Sequence, residues 1–239
     1  MKKSLLLVLL ISLVVTTSIT YGADERPRIG VLRFTNHVAG MWWWHSSVAD
    51  ELQDMLASEL VSTDAFTILE RNEINAVLGE QDLSESGRVS KETKVKMKKL
   101  KGAQYLIAGT VSAFEASESK GGSVRFKGLK LGGSKDKTYI AVDVKVVDTE
   151  TGEIVDARTI EATVKGTSIG AGLDVRNFSI AGEQTKKTPI GKAIRACIQY
   201  IAEYLSCSMI DGKDAPCMRK WNEMESKRKQ KTKSSIDLE

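Results

Sequence analysis

The stretch from Tyr139 to Val164, YIAVDVKVVDTETGEIVDARTIEATV, decides the fold. Apolar residues alternate with other residues in its first part, at Ile140, Val142, Val144 and Val146. Alternation with a period of two is typical of a β-strand with one buried face. Polar residues and a glycine follow from Asp148 to Gly152, and this composition indicates a hairpin turn. We therefore predict two antiparallel strands, the second running from Ile154 to Val164.

The segments before this hairpin predict three more strands. Arg28 to Phe34 and Tyr105 to Val111 are apolar on both faces, as expected of central strands, and Phe66 to Leu69 predicts a short one. With the hairpin, these strands predict a mixed sheet.

Apolar residues at helical spacing predict the helices that flank this sheet. Helices are expected from Ser46 to Leu60, from Ile74 to Leu78 and from Pro189 to Leu205, together with a lysine-rich helix from Ser90 to Leu100. The expected fold class is α+β.

Three tryptophans stand in one row, Trp42-Trp43-Trp44, between the first strand and the first helix. Consecutive residues face different directions in a helix and opposite faces in a strand, so one core cannot take all three rings. At least one ring is expected to face water, a ligand or another subunit. The alternative is an irregular loop whose rings cover nearby apolar surface.

Two stretches do not fit a compact domain, about 116–137 and about 159–183. Alternating apolar residues in them are the candidates for membrane-facing positions: Val124, Phe126, Leu129, Leu131, Ile169, Ala171, Leu173 and Val175. A run of about ten residues with this period is the signature of a transmembrane β-strand. The alternative is a pair of water-exposed hairpins that lie over the domain.

The N-terminus has the pattern of a secretory signal peptide, predicted over residues 1–22. Met1-Lys2-Lys3 is basic, Leu5 to Val15 is an apolar run, and small residues surround a cleavage site near Gly22 or Ala23. No cysteine lies near that site, so the exported protein is expected to carry no lipid anchor. The expected location is the periplasm or the outer membrane of a Gram-negative-type bacterium.

The domain is expected over residues 23–218 and a charged tail over 219–239. Without Lys2 and Lys3 the chain has 33 basic and 31 acidic residues, and the tail has seven basic and four acidic ones. A body this close to neutral is not expected to bind nucleic acid. The tail is predicted to be either a short solvated helix or disordered.

The cysteines and histidines indicate no catalytic or metal site. In an oxidising compartment Cys207 and Cys217 either close a small disulfide loop or remain reduced, and Cys197 lies within an apolar helix pattern as a buried thiol. His37 and His45 have no second ligand at metal-binding spacing. Nucleophile elbows and phosphate-binding or dinucleotide-binding loops are absent from the sequence. We expect no metal, no cofactor and no enzymatic activity.

Three segments carry a resemblance to a known family: Phe66-Thr-Ile-Leu-Glu-Arg71, Gly102-Ala-Gln-Tyr-Leu-Ile-Ala-Gly-Thr-Val111 and Val144-Lys-Val-Val-Asp-Thr-Glu-Thr-Gly-Glu-Ile154. They resemble the CsgG family of curli secretion channels and its holdfast-attachment relatives, over roughly residues 28–206. The resemblance implies a periplasmic α/β domain that oligomerises into a ring. It also implies that each protomer sends two β-hairpins into the outer membrane to form one shared β-barrel. The two irregular stretches match the places where these hairpins leave the domain.

The resemblance also implies a channel constriction made by the loop before the first helix. It places Trp44 at or near the aromatic residue that faces the lumen, with Trp42 and Trp43 beside it. Such a ring of aromatic side chains would admit an unfolded polypeptide and exclude folded proteins. The missing lipid anchor, the lysines of the hairpins and the charged tail depart from the family's pattern.

These observations lead to two hypotheses about function. The first is a non-enzymatic subunit of an outer-membrane secretion channel, with its own copies, an exported curli-like or other unfolded polypeptide and periplasmic accessory proteins as partners. The second is a soluble periplasmic binding or scaffold protein of the same fold that assists cell-envelope assembly.

Overall fold

The computed structural model describes residues 26–95, 99–119, 124–126, 129–131, 134–168 and 188–236. Of residues 117–119, 124–126, 129–131, 134–136 and 165–168 only the backbone is described. In chain order the elements are β1 (Arg28–Val31), β2 (Thr35–Asn36), α1 (Ser46–Ser62), β3 (Thr67–Leu69), α2 (Ile74–Glu85), β4 (Tyr105–Ser119), β5 (Val124–Phe126), β6 (Leu129–Leu131), β7 (Ser134–Asp148), β8 (Ile154–Ser168), α3 (Pro189–Ser206), a π-helical turn (Cys207–Asp211) and α4 (Met218–Ser234).

The main sheet has the strand order β3-β1-β4-β7-β8, with β2 also paired to β4. β1, β2, β3 and β4 pair in parallel, whereas β4, β7 and β8 pair antiparallel. The sheet is therefore mixed, and the α+β prediction is confirmed. β1 lies between β3 and β4, which explains why its sequence is apolar on both faces.

The turn between β7 and β8 closes as the sequence predicts. Asp148 Oδ1 accepts hydrogen bonds from the backbone N–H groups of Glu150 (2.8 Å) and Thr151 (3.1 Å). Gly152 has a φ of +74°, a conformation that glycine adopts without steric cost, and its N–H donates to the carbonyl of Asp148 at 2.9 Å.

Helices α1 and α3 pack side by side on one face of the sheet. The alternating valines and isoleucine of β7 are buried on this face, together with the apolar stripes of the two helices: Ile140, Val142, Val144, Val146, Val48, Leu52, Leu56, Leu60, Ile194, Ile198, Ile201 and Leu205. Burying this continuous surface is the main favourable term for the fold. No helix in the described part of the chain combines the length and apolarity needed to cross a membrane.

Strands β4, β7 and β8 are longer than the helix layer that covers them. Each has 15 residues and so spans about 50 Å, whereas α3, with 18 residues, spans about 27 Å. The backbone ladders continue to the pairs Ser119↔Lys135 and Ser134↔Ser168. The three strands therefore extend the sheet past the helices.

The lysine-rich helix predicted from Ser90 to Leu100 is wrong within the described residues. A turn at 91–93 is followed by irregular backbone at 94–95 and 99–100, while 96–98 lie outside the described residues. Val95 and Leu100 are exposed. A helix of this length depends on burying an apolar face, and this segment has too few apolar residues to form one.

The charged tail forms a helix that packs on the domain instead of standing alone in solvent. In α4, Trp221 is only 4% exposed and Met218 is buried beside it. The Trp221 ring packs edge-on against Tyr200 and Tyr204, at centroid distances of 6.2 and 5.7 Å. Because Met218 and Trp221 are three residues apart, they lie on one helix face and attach the first turn of α4 to α3.

A disulfide joins Cys207, at the end of α3, to Cys217, just before α4, with their Cα atoms 6.1 Å apart. This bond closes the short loop that reverses the chain between the two helices. Cys197 is a buried free thiol on α3. Burial raises its pKa to about 12, so the thiol stays protonated.

Replacing Gly109 by Ala should destabilise the fold. A Cβ at Gly109 on β4 would lie 2.5 Å from Cε1 of the buried Phe34 ring, so the ring or the strand must shift. We expect a loss of about 1–3 kcal/mol in the free energy of unfolding, measured by urea denaturation. Gly102→Ala is the control, because nothing lies within 4 Å of its added Cβ. Equal stability of the two variants would contradict this packing.

Reduction of the Cys207–Cys217 bond should lower the free energy of unfolding by about 2–3 kcal/mol, because the loop it closes is short. Urea denaturation with and without reductant measures this effect. The variant with both cysteines replaced by Ser should show the lower stability in either condition. A wild type that does not respond to reductant would contradict the prediction.

Candidate functional site: the tryptophan loop

Residues His37–His45, which connect β2 to α1, are called the tryptophan loop below. Its ends are held by backbone and side-chain hydrogen bonds. The N–H of His37 donates to the carbonyl of Val111 at 3.0 Å. Arg33 Nη2 donates to the carbonyl of Ser46 at 2.6 Å and to Asp50 Oδ2 at 2.9 Å. Through Arg33, the segment between β1 and β2 is thus tied directly to the first turn of the helix after the loop.

The interior of the loop is a series of tight turns. The Asn36 side chain accepts from the N–H of Val38 at 2.8 Å and donates to its carbonyl at 3.0 Å. Gly40 has a φ of +68°, and the N–H of Trp44 donates to the carbonyl of Met41 at 3.1 Å. These bonds set the directions of the three consecutive indole rings.

Trp43 is the anchor of the loop, with only 1% of its surface exposed. Its ring packs edge-on against Phe114 of β4 at a centroid distance of 5.2 Å and against Trp44 at 6.0 Å. The core of its own protomer surrounds this ring, and the expected place of Trp43 beside the lumen-facing aromatic stays a prediction. A large aromatic ring that is buried in the core contributes the apolar contact area that stabilises the conformation of the loop.

The side chains of Trp42 and Trp44 point in directions different from that of Trp43. Trp42 is 51% exposed, whereas Trp44 is half-buried and packs against the core. The structure therefore separates the row of tryptophans into a buried anchor, a half-buried support and an outward ring. Of the three, Trp42 presents the largest aromatic surface outside its own protomer.

The loop lies where the long strands leave the helix layer. Phe114, which contacts Trp43, is followed on β4 by the exposed residues Glu115 and Ala116, and then by the backbone extension to Ser119. Trp42 is therefore displayed at the base of the extended strands.

The other predicted site residues fall on the hairpins. Ile169, Ala171, Leu173 and Val175 lie outside the described residues. For Val124, Phe126, Leu129 and Leu131 the backbone is described: β5 and β6 pair antiparallel with Val124 opposite Leu131 and Phe126 opposite Leu129. Their assignment to the lipid side stays a prediction.

Sequence reasoning missed a polar cluster on the core side of β8. Tyr204 Oη donates to Asp156 at 2.8 Å, and the Arg158 guanidinium lies 4.9 Å above the Tyr204 ring. Burial and the hydrogen bond to Asp156 raise the pKa of Tyr204 to about 12, so its hydroxyl stays protonated. The signal was available, because Asp156 and Arg158 hold inward positions of the strand, opposite Val146 and Val144.

A second hydrogen-bonded pair of a tyrosine and a carboxylate lies on the other face of the sheet. Tyr139 Oη is 3.0 Å from Glu161 Oε1, and burial together with this carboxylate raises the pKa of Tyr139 well above its usual value. On the tryptophan loop, His45 Nδ1 lies 2.7 Å from Ser47 Oγ. These contacts fix the side chains in place.

Within the described ranges, one group of three residues has potential metal-ligand atoms close together, Cys207, Asp211 and Cys217. Its two sulfur atoms are joined in the disulfide, so they cannot act as thiolate ligands.

The architecture is that of a sheet covered by helices on one face, with strands that extend past them and an aromatic loop at the point of exit. A family model described as "Curli production assembly/transport component CsgG" matches residues 11–236. The protein belongs to the CsgG family.

Individual relatives are distant. The chain is 25% identical over 133 residues to the curli production assembly/transport components CsgG of Salmonella typhimurium and Escherichia coli. The match covers 54% of this chain and 48% of those proteins, so the chain spans about half the length of the curated relatives it matches.

Solved structures with similar backbones are more distant still. The hypothetical protein CT253 from Chlamydia trachomatis has a TM-score of 0.49 and 11% identity, over 79% of this chain and 100% of that one. The PelC dodecamer from Paraburkholderia phytofirmans has a TM-score of 0.34 and 13% identity, over 77% of this chain and 89% of that one. These likenesses are too remote to bear on function.

Replacing Trp43 and Trp42 by Ala should have very different effects on stability. Trp43→Ala opens a cavity beside Phe114 and should cost about 3–5 kcal/mol of the free energy of unfolding. Trp42→Ala removes an exposed ring and should change it by less than about 1 kcal/mol. Urea denaturation followed by circular dichroism measures both. A Trp42 variant as unstable as the Trp43 variant would contradict the assignment of anchor and outward ring.

Proposed function

We propose that this protein is exported and forms, with its own copies, a ring-shaped outer-membrane secretion channel that carries unfolded curli-like or other polypeptides. The observation that carries the proposal is the tryptophan loop. A buried Trp43 and backbone turns hold the half-exposed Trp42 at the base of the extended strands, in a member of a family described as transport components.

The extended strands support the membrane part of this proposal. From Ala113 the β4–β7 ladder continues to Ser119↔Lys135 with no further shift of register, and β8 adds a third strand as far as Ser168. In lipid, every backbone N–H and C=O group must be satisfied internally, so such strands cross a bilayer only as part of a closed barrel. One protomer supplies too few strands, and the proposed ring of copies supplies the rest.

The tryptophan loop would form the constriction. Trp42 contributes the outermost ring of each copy, and the half-buried Trp44 supports it from the domain side, as its edge-on contact with Trp43 suggests. A collar of aromatic rings has few groups that bind polypeptide backbone strongly, so an extended chain slides through it while a folded domain is too wide. The proposed mechanism needs no catalytic residue, cofactor or metal.

The second candidate, a soluble periplasmic scaffold, requires the hairpins to lie over the domain. The described ladders instead lengthen the sheet beyond the helices, and we therefore place the scaffold second.

Fractionation and electron microscopy test the channel directly. We expect the full-length protein, expressed in a Gram-negative host, to require detergent for extraction from the outer membrane and to appear as rings. Complete recovery as a monomer in a detergent-free osmotic-shock fraction would overturn the channel and favour the scaffold.

Trp42→Ala should widen the constriction. In reconstituted bilayers we expect a higher single-channel conductance for Trp42→Ala, a smaller increase for Trp42→Phe, and a smaller increase still for Trp44→Ala, because Trp44 is half-buried. Glu150→Ala, in the exposed turn at the end of β7 opposite the extended strands, is the control and should leave conductance unchanged. Unchanged conductance of the Trp42→Ala pore would remove Trp42 from the constriction.

A further inference from the structure

Helix α2 is poorly covered by the rest of its own protomer. Of its twelve residues only Ser84 is buried, whereas Val77 and Leu78 are 39% and 41% exposed. These two residues and the half-buried Ile74 lie three and four positions apart, so they share one helix face. An amphipathic helix normally buries such a face, and α2 does not bury it within its own protomer.

The charge of α2 is entirely negative. It carries Glu80, Asp82 and Glu85 and no basic residue. Asp82 lies four residues after Leu78 and Glu80 three residues after Val77, so both carboxylates border the apolar face. Any partner of this face should thus combine apolar contact with positive charge.

Such a surface exists at the opposite edge of the same sheet. A groove of about 270 Å³ separates α4 from β8; among its lining residues are Ile160, Trp221, Met224, Lys227, Arg228 and Lys231. Met224 is 40% exposed in it. Helix α4, which forms one wall of this groove, has seven basic and two acidic residues.

The groove is a fixed surface, because several bonds attach α4 to β8. Arg158 donates to the carbonyl of Trp221 at 2.7 Å and to Asn222 Oδ1 at 2.9 Å. Glu225 pairs with Arg228 at 2.7 Å, and this ion pair holds the pKa of Glu225 at about 2. Glu225 therefore offsets the charge of Arg228, and Lys227 is likewise paired with Glu223 at 2.6 Å. Lys231, further along the exposed helix, has no carboxylate within ion-pair distance among the described residues.

The two surfaces lie at opposite ends of the strand order. Four residues separate α2 from the end of β3, the edge strand on one side. Among them, Asn72 donates a hydrogen bond to Asp54 of α1 at 3.3 Å. The groove lies along β8, the edge strand on the other side. Two different surfaces that complement each other make a head-to-tail contact, which closes into a ring when the rotation between copies allows it.

We propose that α2 of one copy docks into the α4–β8 groove of the next copy, with Val77 and Leu78 against Met224 and Asp82 near Lys231. The proposal rests on the ring of the proposed function and names the contact that builds it. The apolar residues supply the buried area, while the opposite charges select the head-to-tail orientation over a symmetric dimer.

Charge reversal tests the contact in the full-length protein, extracted in detergent and analysed by mass photometry. Asp82→Lys and Lys231→Glu should each raise the concentration at which the ring half-dissociates by about 3–10-fold, and the double variant should restore much of the loss. Ala76→Lys, on the side of α2 away from Val77 and Leu78, and Lys233→Glu, on the same helix as Lys231, are the controls and should assemble like the wild type.

Cysteine cross-linking gives a second, independent measurement. Leu78→Cys combined with Met224→Cys should produce disulfide-linked ladders on a non-reducing gel. Ala76→Cys combined with Met224→Cys should not, because Ala76 is exposed on the other side of α2.

The outcomes separate the contact from the channel. A wild-type ring that persists unchanged in Asp82→Lys and Lys231→Glu, or a ladder of equal strength from the Ala76 pair, would overturn the contact and leave the channel standing. A monomeric wild type would overturn both. Rings lost in the two charge reversals and regained in their combination would establish the contact.

Discussion

The antiparallel ladder between β4 and β7 is the interaction on which the rest of the structure depends. It runs from Tyr105↔Asp148 to Ser119↔Lys135, with one register shift between Val111 and Ala113. Because side chains alternate along a strand, this register puts the apolar residues of β7 on a single face, and a slip by one residue would turn them all to the other side. Helices α1 and α3 are shorter than the strands, so they cover only part of that face. The extension beyond them follows from the difference in length between strand and helix.

The tryptophan loop takes its shape from the same ladder. Phe114, on β4 after the register shift, supplies the edge on which Trp43 packs. On the strand side, the Phe34 ring lies directly over Gly109 of β4, which leaves no room for a Cβ there. Both ends of the connection from β1 to α1 are thus fixed to one strand. The outward direction of Trp42 follows in part from its neighbours in the chain, which are already placed.

The parts of the fold with a clear period could be predicted from the sequence. The alternation in β7, the glycine turn and the helical spacing of α1 and α3 each identified an element that the structure contains. The sequence did not indicate which of the three tryptophans is buried. A tight loop has no regular repeat, so the position of a residue in the chain does not predict whether its side chain faces the core. Trp221 was missed for another reason: it lies in a window dominated by charged residues, and its burial depends on Tyr200 and Tyr204, which are distant contacts of tertiary structure.

The two edge strands of the sheet differ in how much unpaired backbone they expose. β3 has three residues, whereas β8 has fifteen, and a long edge strand invites pairing with another chain. Helix α4 packs beside residues 158–161 of β8, and among the described residues β8 pairs with β7 alone, so its outer edge toward Ser168 has no strand partner there. In a membrane such an edge cannot persist, because water is not there to satisfy its N–H and C=O groups. The strand that completes it must come from the chain outside the described residues or from a neighbouring copy. In the proposed channel, assembly of the ring and insertion of the strands are therefore one coupled event, and an isolated protomer would gain nothing by entering the bilayer.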